Sequence, residues 1–372
     1  MRKTKSLALF FMLFSLFASI VFFGCSKPQP APAAGGKTYN LTYASVGGSV
    51  YYFPAWLATE KGWFKDAGLE LKEITFTNGP VMVEALASNG WDIGMSGIGG
   101  VLPGVIVYDA VLVGPNSDDD GTQFVFARNN SPIVAAGTGK NSIDSRIYGD
   151  VDSWKGKKVL CNTGAVLQYT LIKVLGGFGL TQNDVQFIAI DVATASAAFR
   201  AGEGDVVLLT GSAGSMQMDT EKDTYTRIAS GPWAQTGLMA NCYANKNSLA
   251  DPEKREAILL FWDVYYKALD WIKNNSNTAI DLLVDYNAEM GTSLDRGSAE
   301  YYLTLDPYFT IQEGVDMMIN KAPGKNHSVM EERLIGVLQF FIDTGSRQRG
   351  DVEKFVGHVD PSMMQEFLKR SK

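Results

Sequence analysis

Apolar and polar residues alternate in short runs at 40–44, 69–76, 91–95 and 110–113, and each run predicts a half-buried strand. Between these runs the apolar positions change to helical spacing: Phe53, Trp56, Leu57 and Phe64 in the first interval, then Val81, Val83 and Leu86. Strands that alternate with helices imply right-handed crossovers and a parallel sheet. The stretch 157–175, KKVLCNTGAVLQYTLIKVL, condenses the pattern. An apolar run ends in Asn162-Thr163-Gly164, and helical periodicity resumes at once with Val166, Leu167, Thr170, Leu171 and Val174. A helix that starts there presents free backbone amides to an anion or a polar group.

The pattern then repeats. FKDAGLELKEITFTNGPVMVEALASNGWDIGMSG (64–97) and FGLTQNDVQFIAIDVATASAAFRAGEGDVVLLTG (178–211) share one order. Each runs from a Phe and a Gly-Leu helix stop to an apolar strand, a polar turn and a helix. Each ends with a pivot (Gly90-Trp91-Asp92; Gly204-Asp205) and a strand that stops at Gly. Two α/β lobes of like topology follow, the first expected from 38–128 plus 246–372 and the second from 129–245. Ligands of open parallel sheets bind beyond the carboxyl ends of the strands. The expected cleft loops are therefore 45–51, 77–79 and 96–99 in one lobe, and 162–165, 191–194 and 210–213 in the other. From 251 onward the helical stripes of Trp262, Tyr265, Leu269, Ile272, Leu282 and Leu283 predict core helices packed on the first lobe.

The N-terminus changes where this fold is expected to work. Arg2, Lys3 and Lys5 precede an uncharged run from 7 to 23, then Gly24-Cys25 and SKPQPAPAAGG. Residues 1–24 read as a secretory signal peptide and 25–37 as a cysteine followed by a Pro/Ala/Gly linker. Cys25 resembles the acylated cysteine of a bacterial lipoprotein, although Phe22 and Phe23 stand where Leu and a small residue are usual; an uncleaved anchor is the alternative. Without Arg2, Lys3 and Lys5 the 33 Lys and Arg become 30 against 40 Asp and Glu, a formal charge of −10. That balance argues against nucleic acid as a partner.

Little in the chain suggests chemistry. Its two histidines, His327 and His358, lie far from the expected loops, and no metal-ligand spacing occurs. NSDDDG (116–121) matches half a calcium loop, but Ala127 stands where the bidentate Glu is needed, so a solvated turn between strands is expected. GTGKNS (137–142) lacks the Ser or Thr of a phosphate loop. The six cleft loops contain no Lys or Arg and one charge, Asp191, which reads equally as a helix cap and as a ligand for an amine. Tyr51, Tyr52 and Trp233 are aromatic surfaces available to an organic ligand or to packing.

PAWLATEKGWFKDAGLEL, ALASNGWDIGMSG, WKGKKVLCNTGAVLQYTLIKVLGGFGLTQNDVQF and AAFRAGEGDVVLLTG, in this order behind a lipoprotein-like signal, resemble the nitrate/sulfonate/taurine group of ABC-importer substrate-binding proteins. Pyrimidine (thiamin precursor) binders belong to the same superfamily. The resemblance spans 38 to about 270, and 131–154 departs from it by its length. It implies a two-lobed, type II-like periplasmic-binding-protein fold, with two parallel-rich sheets, flanking helices and two crossover strands as a hinge. It also implies ligand contacts at Ser45, Gly48, Ser49, Tyr51, Ser96, Thr163, Gly164, Ala165, Thr194 and Thr210; Asn78, Asp191 and Trp233 join them from the loop reading. The expected protein is a monomeric, lipid-anchored extracytoplasmic binder without catalytic activity, cofactor or metal. It would pass a small organic solute to a permease and its ATPase. A sulfonate or taurine-like ligand is the first expectation and a pyrimidine-type heterocycle the second, and a sensor docking on a receptor is the alternative to transport.

Overall fold

The computed structural model describes residues 37–76, 78–162, 166–211, 213–291 and 293–370, and of residues 193 and 213–216 the backbone alone. The strands of the first sheet are β1 (Tyr39–Val46), β2 (Leu69–Phe76), β3 (Ile93–Ser96) and β4 (Val111–Asp118). The second is built from β5 (Phe124–Arg128), β6 (Lys158–Cys161), β7 (Gln186–Ala189), β8 (Val206–Leu209) and β9 (Tyr225–Ser230). β10 (Met239–Ala244) then returns to the first. The strand orders, β2-β1-β3-β10-β4 and β7-β6-β8-β5-β9, are the same order twice. In each sheet three strands are parallel and two antiparallel to their neighbours, so the sheets are mixed rather than parallel throughout.

The repeated pivots have one job. Asp92 Oδ2 accepts the Thr42 amide of β1 at 2.7 Å, and Asp205 Oδ2 accepts the Lys158 amide of β6 at 2.8 Å. Each carboxylate holds its parallel neighbour one residue before the two strands pair, at Tyr43 with Ile93 and at Val159 with Val206, and so sets the register of the pair. Asp92 also takes Ser248 Oγ and Lys254 Nζ, both at 2.7 Å, which ties the C-terminal helices to the first sheet.

The chain crosses between sheets at 119–123 and 231–238. The expected boundaries after 128 and 245 thus fall one strand late at each crossing: Phe124–Arg128 pairs within the second sheet and Met239–Ala244 within the first. Apolar strands on either side of a crossing look alike in sequence, so their pattern does not say to which sheet they belong. NSDDDG is the end of β4 and the start of the first crossing, and not a solvated turn. Asn116 and Ser117 are buried in β4, and the buried Asp120 carboxylate accepts Thr236 Oγ1 at 2.5 Å, Leu238 N at 2.5 Å and Gly237 N at 2.9 Å from the second crossing. A buried carboxylate with three donors is satisfied, and here it staples the two crossings together. The backbones pass so closely that a Cβ on Gly121 would meet Leu305 O at 1.8 Å, and one on Gly231 would meet Asp120 O at 2.3 Å.

Helix Pro252–Asn274, capped by Asp251, lays Phe261, Trp262 and Tyr265 into the first core beside Tyr43. The long segment 131–154 packs on the second core through Ile133, Ile147 and Trp154. Cys161 and Cys242 are buried free thiols in different sheets.

Candidate functional site

β4 runs parallel to β1 and β3, and both crossings join the edge where these strands end to the edge where β6, β7 and β8 end. The carboxyl ends of the parallel strands of both sheets therefore flank the crossings, the place where an open α/β sheet receives a ligand.

The loop 47–52 follows β1. Gly48 has φ 88°, a left-handed conformation that favours glycine. Three tyrosines from beyond residue 250 hold this loop by its backbone. Tyr286 Oη accepts Gly48 N at 3.1 Å and donates to Ser49 O at 3.5 Å, Tyr265 Oη donates to Tyr51 O at 2.9 Å, and Tyr308 Oη donates to Val50 O at 2.6 Å. Tyr52 Oη donates to Met95 O of β3. With its backbone fixed by side chains, the loop leaves Ser49 and Tyr51 half-buried at the strand ends. These tyrosines were expected as core stripes or not singled out, because their loop partners lie more than 200 residues away.

Several expected ligand contacts have other partners. Ser45, buried within β1, donates to Glu73 Oε1 at 2.7 Å across the sheet. Ser96, buried at the end of β3, shares a 2.8 Å hydrogen bond with Tyr243 Oη. Asn78 caps helix Gly79–Glu84 by accepting Val81 N at 2.9 Å. Asp191 caps helix Val192–Arg200, accepting Thr194 N at 3.0 Å and Thr194 Oγ1 at 2.6 Å. Trp233, after β9, has the guanidinium groups of Arg146 and Arg227 over its ring, 5.3 and 5.9 Å from the centroid. It lines a pocket of about 250 Å³ with Asp118, Gly121 and Ser230, on the edge-strand side of the crossings. Thr210 sits half-buried directly after β8. Thr163, Gly164, Ala165 and Cys25 lie outside the described residues.

The residue that sequence reasoning passed over is Asp119. It follows β4 at the crossing, and a Cβ on Gly97, at the end of β3, would lie 3.3 Å from Asp119 Oδ2. Thr122 Oγ1 donates to Asp119 Oδ1 at 3.2 Å, and a Cβ on Gly211, after β8, would lie 3.1 Å from Thr122 Cβ. Asp119 is thus the carboxylate set between the strand ends of the two sheets. Burial, assisted by the charges of Asp120 and Asp118 and opposed by the Thr122 hydrogen bond, pushes its carboxyl up to about 7. The DDD run was the signal for it, hidden by its likeness to half a calcium loop.

No family model matches the chain. A protein of Bacillus subtilis (strain 168), provisionally named an aliphatic sulfonates-binding protein, is 26% identical over 260 residues, covering 68% of this chain and 73% of its own. A provisionally named ABC transporter periplasmic binding protein of Brachyspira hyodysenteriae is 22% identical over 251 residues, covering 66% and 69%. Among solved structures, the periplasmic aliphatic sulphonate binding protein SsuA from Escherichia coli superposes with TM-score 0.65 at 18% identity, over 86% of this chain and 97% of its own. The desulfurization enzyme DSZB has the same fold, with TM-score 0.53 at 14% identity over 90% and 100%. The fold therefore serves both binders and an enzyme. The chain has the two-lobed periplasmic-binding-protein fold, and its sequence relatives include one named for aliphatic sulfonate binding and one named as an ABC transporter periplasmic binding protein.

Proposed function

We propose that this protein is an extracytoplasmic solute-binding protein that captures a small organic sulfonate between its two lobes and delivers it to an ABC permease. The observation that carries this reading is the pair of like sheets whose strand ends meet at two stapled crossings, with a loop held open by tyrosines at their junction. Relatives named for sulfonate binding and for ABC transport support the solute class and the partner. A sulfonate head would be held by backbone amides and hydroxyls, each helix terminus contributing about 0.3–1 kcal/mol when exposed and about 2 when partly buried. Micromolar affinity requires about −8 kcal/mol. The organic part of the solute supplies the difference, with Tyr51 as its aromatic contact. The protein acts as a binder and not as an enzyme, works as a monomer, and is anchored through a lipid on Cys25.

Calorimetric titration with taurine, short alkanesulfonates, an aminopyrimidine and nitrate tests the solute class. Micromolar binding of a sulfonate and none of nitrate is expected; tight nitrate binding with no organic binding refutes the reading. Fatty-acid labelling in cells tests the anchor, and label retained in Cys25→Ala excludes that site. A second reading, a pyrimidine-type heterocycle, is favoured by one observation: Asp119 is an acceptor suited to a ring or exocyclic N–H.

A further inference from the structure

The expected amine acceptor, Asp191, is occupied as a helix cap. Asp119 stands in a different condition. Its Oδ1 accepts from Thr122, while its Oδ2, the oxygen turned towards Gly97, takes no hydrogen bond from the described residues. Among those residues no Lys or Arg is paired with it. The guanidinium of Arg333, on helix Val329–Asp343, instead donates to Gly237 O at 3.3 Å and lies 4.0 Å from Asp118.

Behind Asp119 stands a second carboxyl group. Asp306, just after helix Arg296–Leu305, is fully buried, with the Ser117 hydroxyl as the side chain that favours its charged form and no cation beside it among the described residues. The groups that face this pair are known on every side. Asp118 and Asp120 flank Asp119 in the chain, Tyr51 faces both carboxyls from the 47–52 loop, and Tyr302 faces them from helix Arg296–Leu305. All of these are acids, and none supplies a positive charge. Carboxyls set this deep with one hydroxyl donor each and no cation cost free energy to ionise unless a partner arrives.

We propose that Asp119 selects the solute by accepting a hydrogen bond from a protonated amine or amidinium nitrogen, with Asp306 positioned behind it. Among organic sulfonates the site therefore favours those that carry an amino group, and it keeps an anionic head away from Gly97, on the opposite side of the cleft. This inference rests on the reading of the cleft as a solute site.

Because the Asp119 carboxyl is held near 7, the ionised form that the ammonium needs is gained as pH rises through that value. Between pH 6 and pH 8 the affinity for an amino-sulfonate should rise about tenfold, following the ionised fraction, while that for ethanesulfonate should not rise. The test is calorimetry at both pH values with taurine, ethanesulfonate and 2-aminopyrimidine, on the wild type, Asp119→Asn and Asp306→Asn. Taurine should bind at least tenfold more tightly than ethanesulfonate at pH 8. Asp119→Asn should abolish both that preference and the pH dependence, and a cooperative unfolding transition together with measurable ethanesulfonate binding shows that the variant is folded. Asp306→Asn, in place of a carboxyl that burial and the Asp119 charge hold well above the usual carboxylate range, should leave both the preference and the pH dependence in place. Equal binding of taurine and ethanesulfonate, or a preference intact in Asp119→Asn, overturns the inference and leaves the sulfonate reading standing. Binding of 2-aminopyrimidine alone, a neutral N–H donor at both pH values, removes the sulfonate reading and overturns the requirement for a protonated nitrogen. Failure of both nitrogen-bearing compounds to bind overturns the inference.

Discussion

Replacing Asp120 by Ala removes the acceptor shared by three donors of the second crossing. Two of them are backbone amides, Gly237 N and Leu238 N, which a side-chain deletion leaves in place without a partner. Each such orphaned group costs about 1–3 kcal/mol, and the lost Thr236 bond to a charged acceptor adds about 1.5–3 kcal/mol. Against this, burial raises the carboxyl's own pKa, so part of the cost of keeping it ionised disappears with it. A net loss of about 2–4 kcal/mol is expected, a large share of the ~5–15 kcal/mol that holds a domain folded. Asp120→Asn keeps one acceptor but turns an N–H₂ towards a donor, and should cost about 1–2 kcal/mol. Urea unfolding at pH 7, followed by tryptophan fluorescence, measures both. A change below about 0.5 kcal/mol in Asp120→Ala, the level of an ordinary surface substitution, would show that the staple does not hold the crossings.

Tyr286→Phe removes the acceptor of Gly48 N and the donor to Ser49 O, so solute affinity should fall about five- to tenfold, the equivalent of one ordinary hydrogen bond. Calorimetry on that variant and on Tyr265→Phe separates loop positioning from core packing. Helix Val166–Gly176 touches helix Val329–Asp343 through the Tyr169–Phe340 ring pair, 5.0 Å between centroids. Tyr169→Ala forfeits an aromatic contact of about 0.5–1.5 kcal/mol, and X-ray scattering should then report a larger radius of gyration without solute. Asp119, with its ordinary carboxyl value of 3.8 raised to about 7 in the fold, binds its proton more tightly folded than unfolded. Its contribution to stability is therefore present at low pH and is lost as pH rises from about 4 to 7; thermal unfolding of Asp119→Asn over that range should show a flatter profile than the wild type.

The parts of this molecule that sequence reveals are those governed by neighbours in the chain. Leu69–Phe76, apolar at 69, 71, 74 and 76, forms the strand predicted for it, and the two Gly-Asp pivots announce lobes of one topology because each pivot acts on the strand beside it. The alternation shows β4 only as far as 113, since it continues to Asp118 through polar residues that are buried by distant partners, β10 and Tyr265 among them. The site was legible as loops and not as contacts. A hydroxyl at a strand end looks the same in sequence whether it faces a ligand or, like Ser96, a tyrosine 147 residues away. Asp119 was passed over for the same reason: its isolation from any cation is a property of the folded neighbourhood.

The most direct test of the account is a crystal structure of the protein with the tightest ligand of the calorimetric panel. Solute density between the 47–52 loop, Gly97, Asp119 and Thr210, with a nitrogen within hydrogen-bond distance of Asp119 Oδ2, is the predicted result. Solute bound instead in the pocket beside Trp233 and Arg227, or on the outside of either sheet, would contradict it.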